Sequence, residues 1–182
     1  NRSQVFGYYD HNMLVMAERV SDHLSRTNKY SPKQRLWYIR AKQVIISSGS
    51  IERPLVFGNN DTPGVMLSSA AKEYLKVYGV LVGKKPIIFT NNDSGYETAI
   101  EFKKNGIDPL ILDTRKNPSS EIVNEAKSLN INIKFSYVIV SAKGYKKVSS
   151  ADIASISDDK KHLSKIENIK CDCICVSGFW TP

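Results

Sequence analysis

The chain has 182 residues, of which 41% are hydrophobic and 24% charged, and this composition excludes a disordered or fibrous protein. No apolar run approaches the roughly 20 residues of a membrane-spanning helix, so we expect a soluble protein with no membrane partner. The net charge of +8 comes mostly from lysines scattered singly or in pairs. That distribution is typical of a solvated surface, and we expect no nucleic acid as partner.

The first 50 residues are rich in β-strand patterns. Residues 5–9 and 13–20 predict the two strands of a hairpin, and residues 34–40 alternate as a half-buried strand does. Residues 42–46 end in the apolar run Val44-Ile45-Ile46, which is followed by Ser47-Ser48-Gly49. This run predicts a strand buried on both faces, as in a parallel sheet.

A helix is predicted over residues 68–78, because its apolar residues recur at helical spacing and Gly79 is placed to end it. Residues 86–135 then alternate between apolar strand patterns and helical patterns. The strands are 86–90, 109–113 and 131–135, and the helices are 96–104 and 119–129. This βαβαβ order indicates half of a nucleotide-binding doubly wound sheet.

The last predicted strand covers residues 169–176 and ends at Ser177-Gly178. Cys171, Cys173 and Cys175 alternate along it, so we expect them on one face as a row of small apolar residues. Zinc binding is not favoured, because the ligands do not converge from a turn. A disulfide is not favoured either, which agrees with a reducing compartment.

These patterns predict an α/β protein with two parts. The first is a degenerate Rossmann-like three-layer insert, and the second is the β-rich part of a truncated host domain of the FAD/NAD(P)-binding type. We predict host sequence over 1–80, the insert over 81–165 and a return strand to the host over 166–182. The strands at 42–46 and 171–176 are expected to lie side by side in one sheet.

The turn after the first strand of the predicted insert, residues 90–96, is where a dinucleotide-binding protein cradles pyrophosphate with glycines. Only Gly95 is present, Asp93 brings a negative charge, and Ser94 or Asp93 resembles a helix N-cap. Asp113, about twenty residues later, is spaced to hold a ribose hydroxyl. A structural role for this turn is favoured over nucleotide binding, and both stay open.

Two short motifs follow strands predicted to be buried: Ser47-Ser48-Gly49 and Ser177-Gly178. Open α/β sheets bind ligands at the carboxyl ends of their strands, so these five residues are candidate cofactor contacts. The alternative is that both motifs are ordinary turns. No pattern of catalytic or metal-binding residues stands out, so we predict neither kind of site within the chain.

Three stretches resemble the α subunit of heterotetrameric sarcosine oxidase. They are residues 43–57, which include Glu52-Arg53-Pro54-Leu55-Val56-Phe57, residues 59–66, and residues 89–96, which include Thr90-Asn91-Asn92-Asp93-Ser94. Subunits of that family are much longer. They begin with a GxGxxG fingerprint and continue into a folate-binding half, and neither is present here. The chain also lacks an initiating Met and an export signal, so we expect a cytoplasmic piece of a longer protein.

The resemblance implies the activity and the cofactors of the parent protein. Such a complex oxidatively demethylates sarcosine to glycine, giving formaldehyde or methylenetetrahydrofolate and hydrogen peroxide. It implies noncovalent NAD in the α subunit, sarcosine oxidation at FAD in another subunit, FMN at a subunit interface, and other sarcosine oxidase subunits as partners. This chain would form the rear wall of the NAD site through Ser48, Gly49 and Gly178.

Alone, the chain is expected to be inactive and to bind no cofactor. Two alternatives stay open at this stage. One is a subunit of a related amine or opine dehydrogenase, and the other is a nonenzymatic basic binding module.

Overall fold

The computed structural model describes residues 2–157, 159 and 161–182, and the chain divides into two compact units, Asn1–Ser48 and Gly49–Pro182. Among the helices described, none is long and apolar enough to cross a membrane.

The first unit is an antiparallel sheet of three strands in the order β1-β2-β3: β1 (Ser3–Tyr9), β2 (Met13–Arg19) and β3 (Gln34–Arg40). A single turn of 3₁₀ helix, Asp10–Asn12, joins β1 to β2. His11 and Asn12 adopt positive φ angles of 59° and 55° there, a conformation that Asn and His tolerate better than most residues. The predicted hairpin and the third strand over residues 34–40 are confirmed. The third strand is not half-buried as predicted, because six of its seven residues are exposed.

The strand predicted over residues 42–46 is wrong, because residues 42–50, all of them described, contain no helix or strand. Ile45 and Ile46 are 92% and 71% exposed. An apolar run becomes a strand buried on both faces only within a sheet whose two faces are covered by other layers. Residues 42–46 belong to none of the sheets in the described part of the chain.

The second unit contains the remaining elements in chain order. They are β4 (Ile51–Arg53), β5 (Val65–Leu67), α1 (Ser68–Tyr78), β6 (Pro86–Thr90), α2 (Ser94–Lys104), β7 (Leu110–Asp113), α3 (Glu121–Ser128), β8 (Asn132–Phe135), β9 (Tyr137–Lys143), β10 (Ser150–Ser155), β11 (Glu167–Lys170), β12 (Cys173–Ser177) and β13 (Phe179–Thr181). The predicted βαβαβ unit is confirmed as β6-α2-β7-α3-β8.

The second unit has three layers. Its middle layer is a parallel sheet of five strands in the order β5-β12-β6-β7-β8. One face packs against the three helices, through residues such as Ile88 and Ile111. The other face, with Ile87 and Leu112, packs against the core residues of the antiparallel sheet β11-β10-β9. The predicted α/β class with a three-layer Rossmann-like fold is therefore confirmed.

The position of β12 differs from the predicted organisation. Its two neighbours are β5 and β6, so both of its edges are occupied within the second unit. The predicted return strand is thus a central strand of the predicted insert, and β5 lies in the same sheet. The compact units separate between residues 48 and 49. That residues 1–80 belong to a host dinucleotide-binding domain stays a prediction.

The chain bends at Asp172, just before β12. The Asp172 carboxylate accepts hydrogen bonds from the backbone N–H groups of Lys84 and Lys85, each at 2.8 Å. Because of this bend, Cys171 packs on the side of the antiparallel sheet, whereas Cys173 and Cys175 face the helices. The expectation that all three thiols share one face is therefore wrong for Cys171.

All three cysteines are buried and unpaired. The sulfur atoms of Cys173 and Cys175 are 3.7 Å apart. Burial raises the pKa of Cys171 to about 12, and nearby Asp172 adds to the shift. These thiols therefore behave as small core side chains.

The start of α1 depends on a side chain from β4. Leu67, the residue before the helix, offers no side-chain cap. Instead, Glu52 Oε2 accepts the backbone N–H of Ser69 at 2.8 Å, and Glu52 is only 4% exposed. A carboxylate is favourable there because the N-terminus of a helix carries partial positive charge. Glu52 therefore ties the β4–β13 pair to α1.

We expect Glu52→Ala to lower the free energy of unfolding by about 1–2 kcal/mol, the usual cost of losing a helix N-cap. Urea denaturation of the chain measures this change. Glu73→Ala, which removes an exposed carboxylate from α1, is the matched control and should change stability by less than about 0.5 kcal/mol. Equal effects of the two substitutions would contradict the capping role.

Candidate functional site

The candidate site lies at the carboxyl edge of the parallel sheet, between β12 and β6. From β6 the chain runs through α2 to β7 on one side, while β12 lies on the other side. Such a reversal of strand order is where open α/β sheets bind ligands. Ser177 at the end of β12 pairs with Thr90 at the end of β6, so the turn at residues 91–93 lies next to Ser177 and Gly178.

Asn92 organises this turn. Its Oδ1 accepts hydrogen bonds from the Ser94 N–H at 2.9 Å and from the Ser94 hydroxyl. Its Nδ2 donates to the carbonyl oxygens of Ser177 and Gly178. Asp93 occupies the N-cap position of α2, one of the two positions that the sequence suggested, but its side chain forms no capping hydrogen bond. The side chain that caps the helix is Asn92. An Asx turn was the available signal, since Asn commonly bonds to the backbone two residues later.

The predicted contacts Ser177 and Gly178 are buried and have partners within the chain. The hydroxyl oxygens of Ser177 and Ser94 are 2.8 Å apart, and the Trp180 indole N–H donates to Ser94 Oγ at 3.1 Å. Gly178 donates its N–H to the carbonyl of Arg53 at 2.8 Å. A Cβ on Gly178 would lie 2.5 Å from that oxygen, so this glycine permits close packing on the segment after β4.

Gly95 has a similar packing role. A Cβ there would lie 2.7 Å from the Cβ of Thr90, so the glycine allows the first turn of α2 to approach β6. This is the helix-to-strand packing that the last glycine of a dinucleotide fingerprint provides. The turn has therefore kept the packing glycine of such a fingerprint, while Asn91, Asn92 and Asp93 occupy the phosphate-binding loop.

Asp113, the candidate ribose contact, is fully buried at the end of β7. It accepts the Tyr96 hydroxyl at 2.6 Å, the Arg115 backbone N–H at 2.9 Å and the Arg115 guanidinium at 2.9–3.2 Å. The same guanidinium donates to Asp93 at 2.7 Å. We call these four residues, Asp93, Tyr96, Asp113 and Arg115, the Arg115 network. The sequence did not reveal Arg115, because one arginine after a strand forms no pattern.

The network changes the proton affinity of Tyr96, Arg115 and Asp93. Burial raises the pKa of Tyr96 far above its usual value, and the hydrogen bond to Asp113 adds to this. Desolvation alone would lower the pKa of Arg115, but its bonds to the two carboxylates outweigh that effect and raise the pKa. Partial burial works to raise the pKa of Asp93, yet Arg115 lowers it overall. The ion pair between Arg115 and Asp93 is therefore charged at neutral pH.

A cavity of about 500 Å³ lies beside the network at the ends of β6, β7 and β8. Ser136, one of its lining residues, has a positive φ of 56°. The cavity is lined by Asn91, Thr114, Arg115, Lys116, Ser136, Ile156 and Ser157.

The other predicted contacts, Ser47, Ser48 and Gly49, are exposed and lie outside regular structure. Ser47 and Ser48 belong to the first unit, and Gly49 begins the second unit with a φ of +78°. Within the second unit, the structure brings Ser177 and Gly178 together with Asn92 and Ser94.

The turn between β6 and α2 does not fit a dinucleotide. A pyrophosphate needs free N–H groups at a helix N-terminus and no competing negative charge. Here the Ser94 N–H is bonded to Asn92, and the Asp93 carboxylate lies at the helix start. Asp113 is fully occupied by Tyr96 and Arg115, so it offers no oxygen to a ribose hydroxyl.

Sequence comparison finds relatives that match the whole chain. Sarcosine oxidase subunit alpha of Rhizobium meliloti is 36% identical over 182 residues, and that of Corynebacterium sp. strain U-96 is 33% identical over 184 residues. Each match covers 100% of this chain but only 17% and 19% of the two relatives. The chain therefore spans less than a fifth of their length. No family model matches the sequence.

Solved structures support the fold assignment. Thioredoxin reductase from Lactococcus lactis has a TM-score of 0.65 at 13% identity, covering 99% of this chain and 54% of that one. Thioredoxin reductase from T. acidophilum has a TM-score of 0.63 at 17% identity, covering 82% and 48%. The chain therefore shares its fold with part of each of these thioredoxin reductases.

The Arg115 network predicts a loss of stability at high pH. The pKa of Tyr96 is higher in the folded chain than in the unfolded chain, so its stabilising contribution is complete below about pH 10 and falls as the pH rises further. We expect Tyr96→Phe to reduce this pH dependence in urea titrations at pH 8 to 11. Tyr145→Phe, which alters a tyrosine that is 95% exposed, should leave the pH profile unchanged. Identical profiles for the two variants would contradict the prediction.

Proposed function

Because the whole chain is homologous to a segment of the sarcosine oxidase α subunit, we propose that it is the Rossmann-like lobe of that subunit in a longer protein. The parent complex oxidatively demethylates sarcosine. Sarcosine, dioxygen and water give glycine, formaldehyde and hydrogen peroxide, and methylenetetrahydrofolate replaces formaldehyde when tetrahydrofolate accepts the carbon.

One observation carries the proposal: similarity to sarcosine oxidase α subunits runs without a break through both units, from the antiparallel sheet to β13. The reductase-type fold supports it, because such folds serve nucleotide cofactors in oxidoreductases. The related amine or opine dehydrogenases remain the alternative in which the same type of lobe acts on another secondary amine.

This lobe and the other parts of the complex have different roles. The lobe is not catalytic alone, and oxidation of sarcosine takes place at FAD in another subunit, with FMN at a subunit interface. The α subunit holds NAD noncovalently, and the family resemblance assigns contacts with it to Ser48, Gly49 and Gly178. Ser47 and Ser177 are further candidates because they belong to the same two motifs. Other sarcosine oxidase subunits are the partners, and the complex works in the cytoplasm.

The lobe supplies a preformed frame to the complex. Its sheet edge is fixed by Asn92, which connects α2 to the end of β12, and by Arg115, which connects α2 to the end of β7. These bonds order the edge without a ligand. The frame would thus keep its geometry whether or not the cofactors of the complex are loaded.

The activity is tested on the parent complex, assembled from the full-length α subunit and its partner subunits. With sarcosine we expect equal amounts of hydrogen peroxide and formaldehyde, measured by a peroxidase-coupled assay and by a formaldehyde assay. Opines and N-alkylated amino acids larger than sarcosine serve as comparison substrates. Turnover of those compounds without turnover of sarcosine, or a complex without flavin, would reject the proposal in favour of the alternative.

A matched pair of glycines tests the proposed NAD contact. Gly49 and Gly106 have φ angles of +78° and +79°, and a Cβ on either meets no atom within 4 Å. The backbone strain of a larger side chain is therefore similar at both positions. We expect Gly49→Leu in the parent to lower the NAD released on denaturation at least tenfold, while Gly106→Leu keeps it. Equal NAD contents in the two variants would contradict a contact at Gly49.

A further inference from the structure

We propose that the nucleotide-type edge of the second unit is closed by the chain itself, and that Arg115 acts there as a built-in substitute for a ligand. In this view the turn between β6 and α2 and the end of β7 hold no dinucleotide, and the NAD of the parent is bound elsewhere, by other parts of the subunit together with the proposed contacts at Ser48 and Gly49. Three features of the Arg115 network support this inference.

The first feature is charge. The Asp93 carboxylate lies at the start of α2, where the partial positive charge of the helix would otherwise attract a phosphate. A pyrophosphate at the same place would meet a charge of its own sign at short range. Arg115 provides the compensating positive charge, since its guanidinium donates to Asp93 at 2.7 Å.

The second feature is hydrogen-bond occupancy. At the beginning of α2 the Ser94 N–H is bonded to Asn92 Oδ1, and the Tyr96 N–H is bonded to the Asp93 carbonyl at 3.1 Å. A phosphate cradle works because N–H groups at this position lack partners within the protein. A phosphate would have to break these bonds before it could form its own.

The third feature is burial of the acid at the end of β7. Asp113 is fully buried, and both of its oxygens accept hydrogen bonds from Arg115. Tyr96, equally buried, donates to one of them. A buried carboxylate needs such compensation, because desolvation of an unpaired charge is very unfavourable. Removing Arg115 would therefore leave a buried charge without its cation.

The cavity of about 500 Å³ beside the network does not reverse this conclusion. Arg115, one of the basic residues that line it, is already neutralised by the two carboxylates. Its three nitrogens, Nε, Nη1 and Nη2, each donate to one of those carboxylates. A phosphate-bearing ligand would have to compete for Arg115 with Asp113 at the end of β7 and with Asp93 in the turn before α2.

A rescue experiment on the full-length α subunit tests the role of Arg115. We expect Arg115→Ala to lower the melting temperature by several degrees, and millimolar guanidinium chloride to recover at least half of this loss. Sodium chloride at the same concentration should not restore the melting temperature, since a sodium ion cannot form the paired hydrogen bonds of a guanidinium. Arg115→Lys keeps the positive charge but loses the two parallel N–H donors of the guanidinium. Its melting temperature should lie between those of the wild type and Arg115→Ala.

Arg35→Ala is the matched control. Arg35 pairs with Glu18 at 3.2 Å on the exposed surface of the first unit. Its loss should therefore change the melting temperature little, and guanidinium should not raise the melting temperature of this variant. The inference is overturned if Arg115→Ala melts like the wild type, or if guanidinium raises the melting temperature of Arg35→Ala as much as that of Arg115→Ala. If Arg115→Ala does not fold, Arg115→Lys carries the comparison.

The location of NAD is tested separately, and this part rests on the proposed function. We expect Asp113→Asn in the assembled parent to retain the NAD content of the wild type, measured after denaturation, although its melting temperature falls. An assembled Asp113→Asn complex that has lost its NAD would overturn the inference. Sarcosine turnover reads out the proposed function independently, because a closed edge makes no prediction about the chemistry at the flavin.

Discussion

The insertion of β12 between β5 and β6 is the constraint on which the second unit depends. All five residues of β12 are buried, and they pair with strands that lie more than 80 residues earlier in the chain. Successive side chains of β12 point to opposite faces of the parallel sheet. Cys173 and Cys175 face the helices, and Ile174 and Val176 face the antiparallel sheet. Without β12 the three residues of β5 would have no connection to the rest of the sheet.

The polar edge follows from this arrangement. Because β12 ends beside β6, Ser177 and Gly178 come within hydrogen-bonding distance of Asn92, and the turn is fixed from both sides. On the other side of the turn, Arg115 connects the end of β7 to the start of α2. The lobe therefore combines the frame of a nucleotide-binding protein with an edge that is satisfied internally.

The sequence was informative where local patterns determine the structure. The apolar runs of β6 and β7 predict strands, and the helical spacing of apolar residues in α1 predicts a helix. The structure contains each of these elements. The apolar run at 42–46 does not form the predicted strand. Such a pattern indicates that a strand would need neighbouring strands and packed layers, but it does not show that they exist. Cys171 was misplaced because the bend at Asp172 depends on the distant Lys84 and Lys85. Arg115 was missed because one partner, Asp93, lies 22 residues away.

The pairing of β4 with β13 has a topological consequence. Ile51 lies opposite Thr181, and paired residues of antiparallel strands are only about 5 Å apart, so the chain at residue 181 lies next to the place where it enters the second unit. A folded body with adjacent entry and exit can be inserted into a surface loop of another protein without separating the two ends of that loop.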